Sequence, residues 1–79
     1  MKFEMNHDPF RGRLFEMRLI DIYNKYSWLA DELSQKEFIK LFPVKYKNSK
    51  PLLPDRPAHV DLDKQIFLDV LVAFRQSFN

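Results

Sequence analysis

Apolar residues recur along the first part of the chain at helical spacing. Phe15, Leu19, Ile22, Tyr26, Leu29 and Leu33 follow one another at intervals of 4, 3, 4, 3 and 4 residues, which places them in one stripe along a helix. Leu14, Met17, Ile20, Tyr23 and Trp28 lie beside or off that stripe, so the helix carries more apolar surface than a single seam uses. Asp8 followed by Pro9 is a fitting start, because an aspartate caps free backbone NH groups and proline tolerates the first helical position. Gly12, between Arg11 and Arg13, weakens that opening and moves the expected start to residue 13, giving a first helix over 13–32.

Ser34, Gln35, Lys36 and Glu37 spell a capping box. The serine hydroxyl can accept from the backbone NH of Glu37, whose carboxylate can reach back to the NH of Ser34. Leu33 before the cap and Phe38 after it form the matching hydrophobic staple, and Pro43 disfavours helix in the residue before it. The pattern predicts a short second helix over 35–42, set at an angle to the first. The last helix is expected over 62–78, opened by Asp61 or Asp63. Leu62, Ile66, Phe67, Val70, Leu71, Ala73, Phe74 and Phe78 give it a broad apolar face, suited to the centre of a bundle or to an interface.

Between these helices, Pro43, Pro51, Pro54 and Pro57 rule out helix over any useful length. A connection of about 18 residues is long for a compact domain, and such loops tend to be functional or disordered. The expected fold is all-α: one small three-helix domain, 1–79, with a long proline-rich loop. The alternative is α+β, with a minimal two-stranded ribbon formed by residues 2–5 and 44–47, both of which alternate.

Size sharpens the demand for packing. A chain of 79 residues buries only about 60% of the surface its unfolded state exposes. With no cysteine, neither disulfides nor thiolate metal sites can make up the difference. Aromatic packing or assembly remains, and the chain has eight Phe, three Tyr and one Trp with which to do it. The first six residues, with Glu4 among them, predict no secretory signal. The longest nearly apolar run, 66–74, contains Asp69 and is far short of the roughly 20 residues that cross a bilayer, so the chain is expected in the cytoplasm and off the membrane.

Catalytic equipment is sparse. His7 and His59 each have an aspartate nearby, but both sit at element edges where polar residues gather for solvation. A single glycine nearly excludes a phosphate-cradling loop, and no nucleophile elbow or metal-binding helix motif is present. The expectation is a non-enzyme with no cofactor, no metal and no catalytic residues.

The overall charge of +2 is unevenly spread. Residues 40–56 carry five cations and one anion, a net +4, leaving −2 for the rest of the chain. Lys40, Lys45, Lys47, Lys50 and Arg56 interleaved with Tyr46 have the chemistry of phosphate contact and base stacking, but equally that of a solvated loop.

Chain length, the lack of catalytic groups and the aromatic surplus resemble small regulators, inhibitors and accessory subunits, phage-encoded inhibitors of host systems included. The first functional expectation is a regulator that binds a protein partner through Trp28, Tyr46 and Arg56, hot-spot residue types with the weakest claim on the core. The alternative is a nucleic-acid binder using Lys40, Lys45, Lys47, Lys50 and Arg56. Surplus apolar surface on the first and last helices also raises a homodimer.

Overall fold

The computed structural model describes residues 9–48, 50–57, 60 and 62–78; for Pro9, only its backbone. The described residues are mostly helical. They form helices α1 (Pro9–Lys25), α2 (Leu29–Glu32), α3 (Gln35–Lys40) and α4 (Lys64–Phe78), with strands β1 (Lys45–Lys47) and β2 (Lys50–Leu52) between α3 and α4. A helical domain with a small ribbon is thus the architecture, and both parts differ in detail from the expectation.

The first difference is where α1 begins. It starts at Pro9 rather than at residue 13, because proline pre-sets the dihedral of a first helical residue. Gly12 does not interrupt it: a glycine costs a helix about 1 kcal/mol relative to alanine, less than the buried stripe that follows returns.

The second difference is a break within the expected 13–32 helix. Leu29, Ala30 and Asp31 donate to the carbonyls of Tyr26, Ser27 and Trp28, three residues back rather than four, at 2.9–3.2 Å. This tight turn separates α1 from the one-turn α2. It leaves the apolar stripe intact, since side chains three apart eclipse in such a turn and Leu29 stays on the side of Tyr26. Leu29 and Leu19 are fully buried, and Phe15 and Ile22 on the same stripe are buried as well.

α3 is built as its capping box requires. Ser34 has extended backbone, its Oγ accepts from Glu37 N at 3.2 Å, and Glu37 Oε1 accepts from Ser34 N at 2.8 Å. The bond from the Ser34 backbone NH, helped by the Ser34 side chain, favours the ionised carboxylate and holds the Glu37 carboxyl below its ordinary range. The helix closes at Lys40 rather than at residue 42. Leu41 and Phe42 finish it with bonds three residues back, to Phe38 and Ile39, ahead of Pro43.

α4 starts at Lys64, two residues later than expected, capped by Asp63. The Asp63 carboxylate accepts from Gln65 N at 3.1 Å and its carbonyl from Phe67 N at 3.2 Å. Asp61, the other candidate cap, lies outside the described residues.

α1 and α4 form an antiparallel pair: Phe15 meets Phe74 and Phe78, Arg18 meets Gln76, and Tyr26 meets Asp69. α3 seals one side of that pair with Phe38 and Phe42, which touch Tyr23 of α1 and Phe67 of α4 at ring separations of 5.7 and 6.3 Å. Leu62, Ile66, Val70 and Ala73 complete the core. Six of the aromatics therefore pack ring against ring, with Phe15, Phe38 and Phe42 buried and Phe67, Phe74 and Phe78 half-buried against them. Phe10 and Trp28 are left exposed.

The ribbon pairs β1 with β2, in the register Lys45 with Leu52, Tyr46 with Pro51, and Lys47 with Lys50. Residues 2–5, the expected partner of this strand, lie outside the described residues. Asn48 takes the left-handed conformation (φ 54°) that a two-residue hairpin turn demands and asparagine tolerates. Pro51 stands one residue beyond the turn-closing pair, where such a hairpin makes no cross-strand bond, so its missing NH costs the ladder nothing.

The capping box carries a direct test. Ser34→Ala removes one side of it and should lower the unfolding free energy by about 1 kcal/mol in urea titrations, with Ser34→Asn recovering most of the loss.

Candidate functional site

The hairpin sorts the basic segment by face. Residues two apart on a strand, and residues paired across strands, share a face, so Lys45, Lys47, Lys50 and Leu52 lie on one side and Tyr46 and Pro51 on the other. The lysine side is exposed and the tyrosine side half-buried. Three lysines of the basic segment are thus brought together on an outward face. Lys40 stands apart, at the end of α3. Arg56 donates from its guanidinium to the carbonyl of Leu62, tying the proline segment to the residue that precedes the α4 cap.

The three hot-spot candidates fall on three elements. Trp28, 41% exposed, sits on the tight turn between α1 and α2. Tyr46 lies on the half-buried face of β1, and Arg56 lies in the extended segment after β2.

A cleft of about 630 Å³ opens between α3 and the proline segment. Its floor is apolar: Leu33, Leu41, Pro43, Pro54, Pro57 and Val60. Glu32, Glu37 and Asp55 supply negative charge around it, Lys40 and Lys45 positive charge. The Glu37 carboxylate is already committed to Ser34. The volume is that of a ligand or peptide pocket. Proline rings present apolar surface and no NH donor, so this floor receives side chains rather than a backbone ladder. The cleft was hidden by reading the prolines only as helix breakers. Its signal was the apolar content of the same stretch, where Leu52, Leu53 and Val60 keep company with the prolines in what would otherwise be a solvated loop.

The far side of the α1–α4 pair carries a polar network centred on Asp69. The Tyr26 hydroxyl donates to Oδ2 at 2.6 Å, Lys25 Nζ lies 3.2 Å from the same oxygen, and Gln65 Nε2 donates to Oδ1 at 3.3 Å. The tyrosine bond, supported by Lys25 and Gln65, holds the Asp69 carboxyl below its ordinary value. The same contacts raise the Tyr26 hydroxyl and the Lys25 ammonium above theirs.

Among the described residues, no group of three or more histidine, aspartate or glutamate side chains could hold a metal ion, and no helix is long and apolar enough to cross a membrane. His7 and His59 lie outside the described residues. Comparison with family models, with curated proteins and with solved structures returns no match.

The Asp69 network sets an acid response. A carboxyl whose folded pKa is depressed contributes its stability above the unfolded value and loses it as pH falls through the folded one. Between about pH 5 and about pH 2, the urea midpoint should therefore fall more steeply for the wild type than for Asp69→Asn. Equal slopes for the two proteins would remove Asp69 as a source of acid sensitivity.

Proposed function

We propose that the chain is a non-catalytic binding protein, a small regulator, inhibitor or accessory subunit, that seats a segment of a protein partner in the cleft between α3 and the proline segment. The observation behind this reading is the cleft itself: an apolar floor with charge of both signs around it. Apolar side chains of an extended segment would fill the floor. Charges of opposite sign on that segment would meet Lys40 and Lys45 on one hand and Glu32 and Asp55 on the other, fixing direction more than affinity. A uniformly anionic partner would be opposed by the carboxylates. Trp28 and Arg56, both exposed, and Tyr46 are the further partner contacts that this reading adds, and the cytoplasm is its setting.

A second reading has its own observation. Lys45, Lys47 and Lys50 share the exposed face of the hairpin, an arrangement suited to the phosphates of a nucleic acid, while Arg56 is turned to the carbonyl of Leu62 and Lys40 lies on another element. Three phosphate contacts would give a slope of about −2.7 in log K against log salt on duplex DNA.

One pair of variants separates the two readings. Pro57→Asp places a charge on the cleft floor and should weaken a partner recovered with the wild-type chain at least tenfold, while Lys47→Glu with Lys50→Glu leaves it bound. A partner lost with the lysines and retained with Pro57→Asp contradicts the cleft. Nucleic-acid binding with the stated salt slope, abolished by the two glutamates, establishes the hairpin instead.

A further inference from the structure

Among the described residues, the α1–α4 pair is sealed on one side only. On the other side, a cleft of about 290 Å³ runs between the helices, lined by Arg18, Asp21 and Lys25 of α1 and by Asp69, Val72 and Gln76 of α4. Two of its charges answer each other, since Lys25 lies 3.2 Å from Asp69. The other two are left over. Arg18 donates from one terminal nitrogen to the neutral Gln76 at 3.0 Å, and no carboxylate among the described residues pairs with its charge. Asp21, three residues along the same helix and exposed, makes no hydrogen bond or ion pair among the described residues.

Among the described residues no carboxylate pairs with the Arg18 charge and no cation with Asp21, so a partner that carries both signs can pair with the two. Apolar surface accompanies them. Met17 is one turn from Asp21 on α1, and Leu68 is one turn from Val72 on α4. These three aliphatics are 61%, 51% and 48% exposed.

We propose that this face is a two-fold dimer interface, in which Arg18 and Asp21 of one copy meet Asp21 and Arg18 of a second copy, with Met17, Leu68 and Val72 buried around them. The occupant follows from the charge. Two cations and two anions leave the face neutral, with one unpaired cation and one unpaired anion, so its complement carries the same set, and a two-fold rotation supplies it. An acidic or a basic partner would leave one of the two unmet. The face is about 25 Å long and two helices wide, the scale of the roughly 800 Å² that each side of a standard interface buries. This dimer does not rest on the proline cleft, which lies between other elements, and either can fail without the other.

Sedimentation of the full chain across the micromolar range tests it, with circular dichroism as the check on folding. The wild type should pass from a 9.6 kDa species to twice that mass as concentration rises. Val72→Glu or Met17→Glu, at exposed positions, should weaken association at least tenfold with helix content unchanged. Asp21→Arg should also weaken it, and adding Arg18→Asp to that variant should restore the dimer. A 9.6 kDa species at every concentration, a dimer indifferent to both glutamates, or a double variant no tighter than Asp21→Arg alone would each overturn the interface.

Discussion

Phe38 and Phe42 sit where α1, α3 and α4 converge, and the placing of every other element follows from burying them. Their rings meet edge to face at 5.4 Å, and each reaches one of the two long helices, Phe38 to Tyr23 and Phe42 to Phe67. α3 itself has only six residues, far too few to persist as an isolated helix. Two things hold it: the reciprocal bonds of the Ser34 cap at one end, and the burial of two aromatic rings, each worth about 2–3 kcal/mol. Helix formation and core formation are therefore one event in this segment.

The consequences run outward from that wedge. Leu41 and Pro43, which follow Phe38 on the chain, become one wall of the proline cleft, and the Arg56 bond to Leu62 brings the opposite wall back toward α4. The hairpin begins two residues after Pro43, so its lysine face takes its position from α3 as well. On the opposite side nothing covers α1 and α4 among the described residues. There the pair is joined by Asp69 with Tyr26, Lys25 and Gln65 rather than by apolar packing, and the charges of Arg18 and Asp21 have no opposite charge paired with them among the described residues. One side of the molecule is thus organised by aromatic burial and the other by charge, and the two proposed contacts use one side each.

Much of the frame was legible in the residues. The stripe from Phe15 to Leu29, the Ser34 capping box and the face of α4 are local patterns with local causes, and each became the element it spells. The break after Tyr26 was not legible, because a turn with three-residue bonds preserves a spacing of three and so leaves the apolar stripe unmarked. The first strand of the ribbon was legible in the alternation of 44–47, but its partner at 50–52 was not, for another reason. Pro51 argues against a strand by composition, yet at a position without a cross-strand bond it is tolerated. How many aromatics the core takes up was not legible either, since ring-on-ring packing among Phe15, Phe74, Phe78, Phe38, Phe42 and Phe67 lets a small core hold more of them than a count of buried positions allows. The two clefts depend on which distant residues meet, information that periodicity does not carry.

The role of the aromatic wedge is most directly measured by the stability of Phe38→Ala. Phe38 is fully buried, and truncating such a side chain costs about 3–5 kcal/mol, a large part of what a domain of this size possesses. If α3 holds the two long helices in place, the variant should lose cooperative unfolding or most of its denaturant midpoint, with far-UV helix signal falling at α1 and α4 as well as at α3. A variant that unfolds cooperatively within about 1 kcal/mol of the wild type would contradict the account.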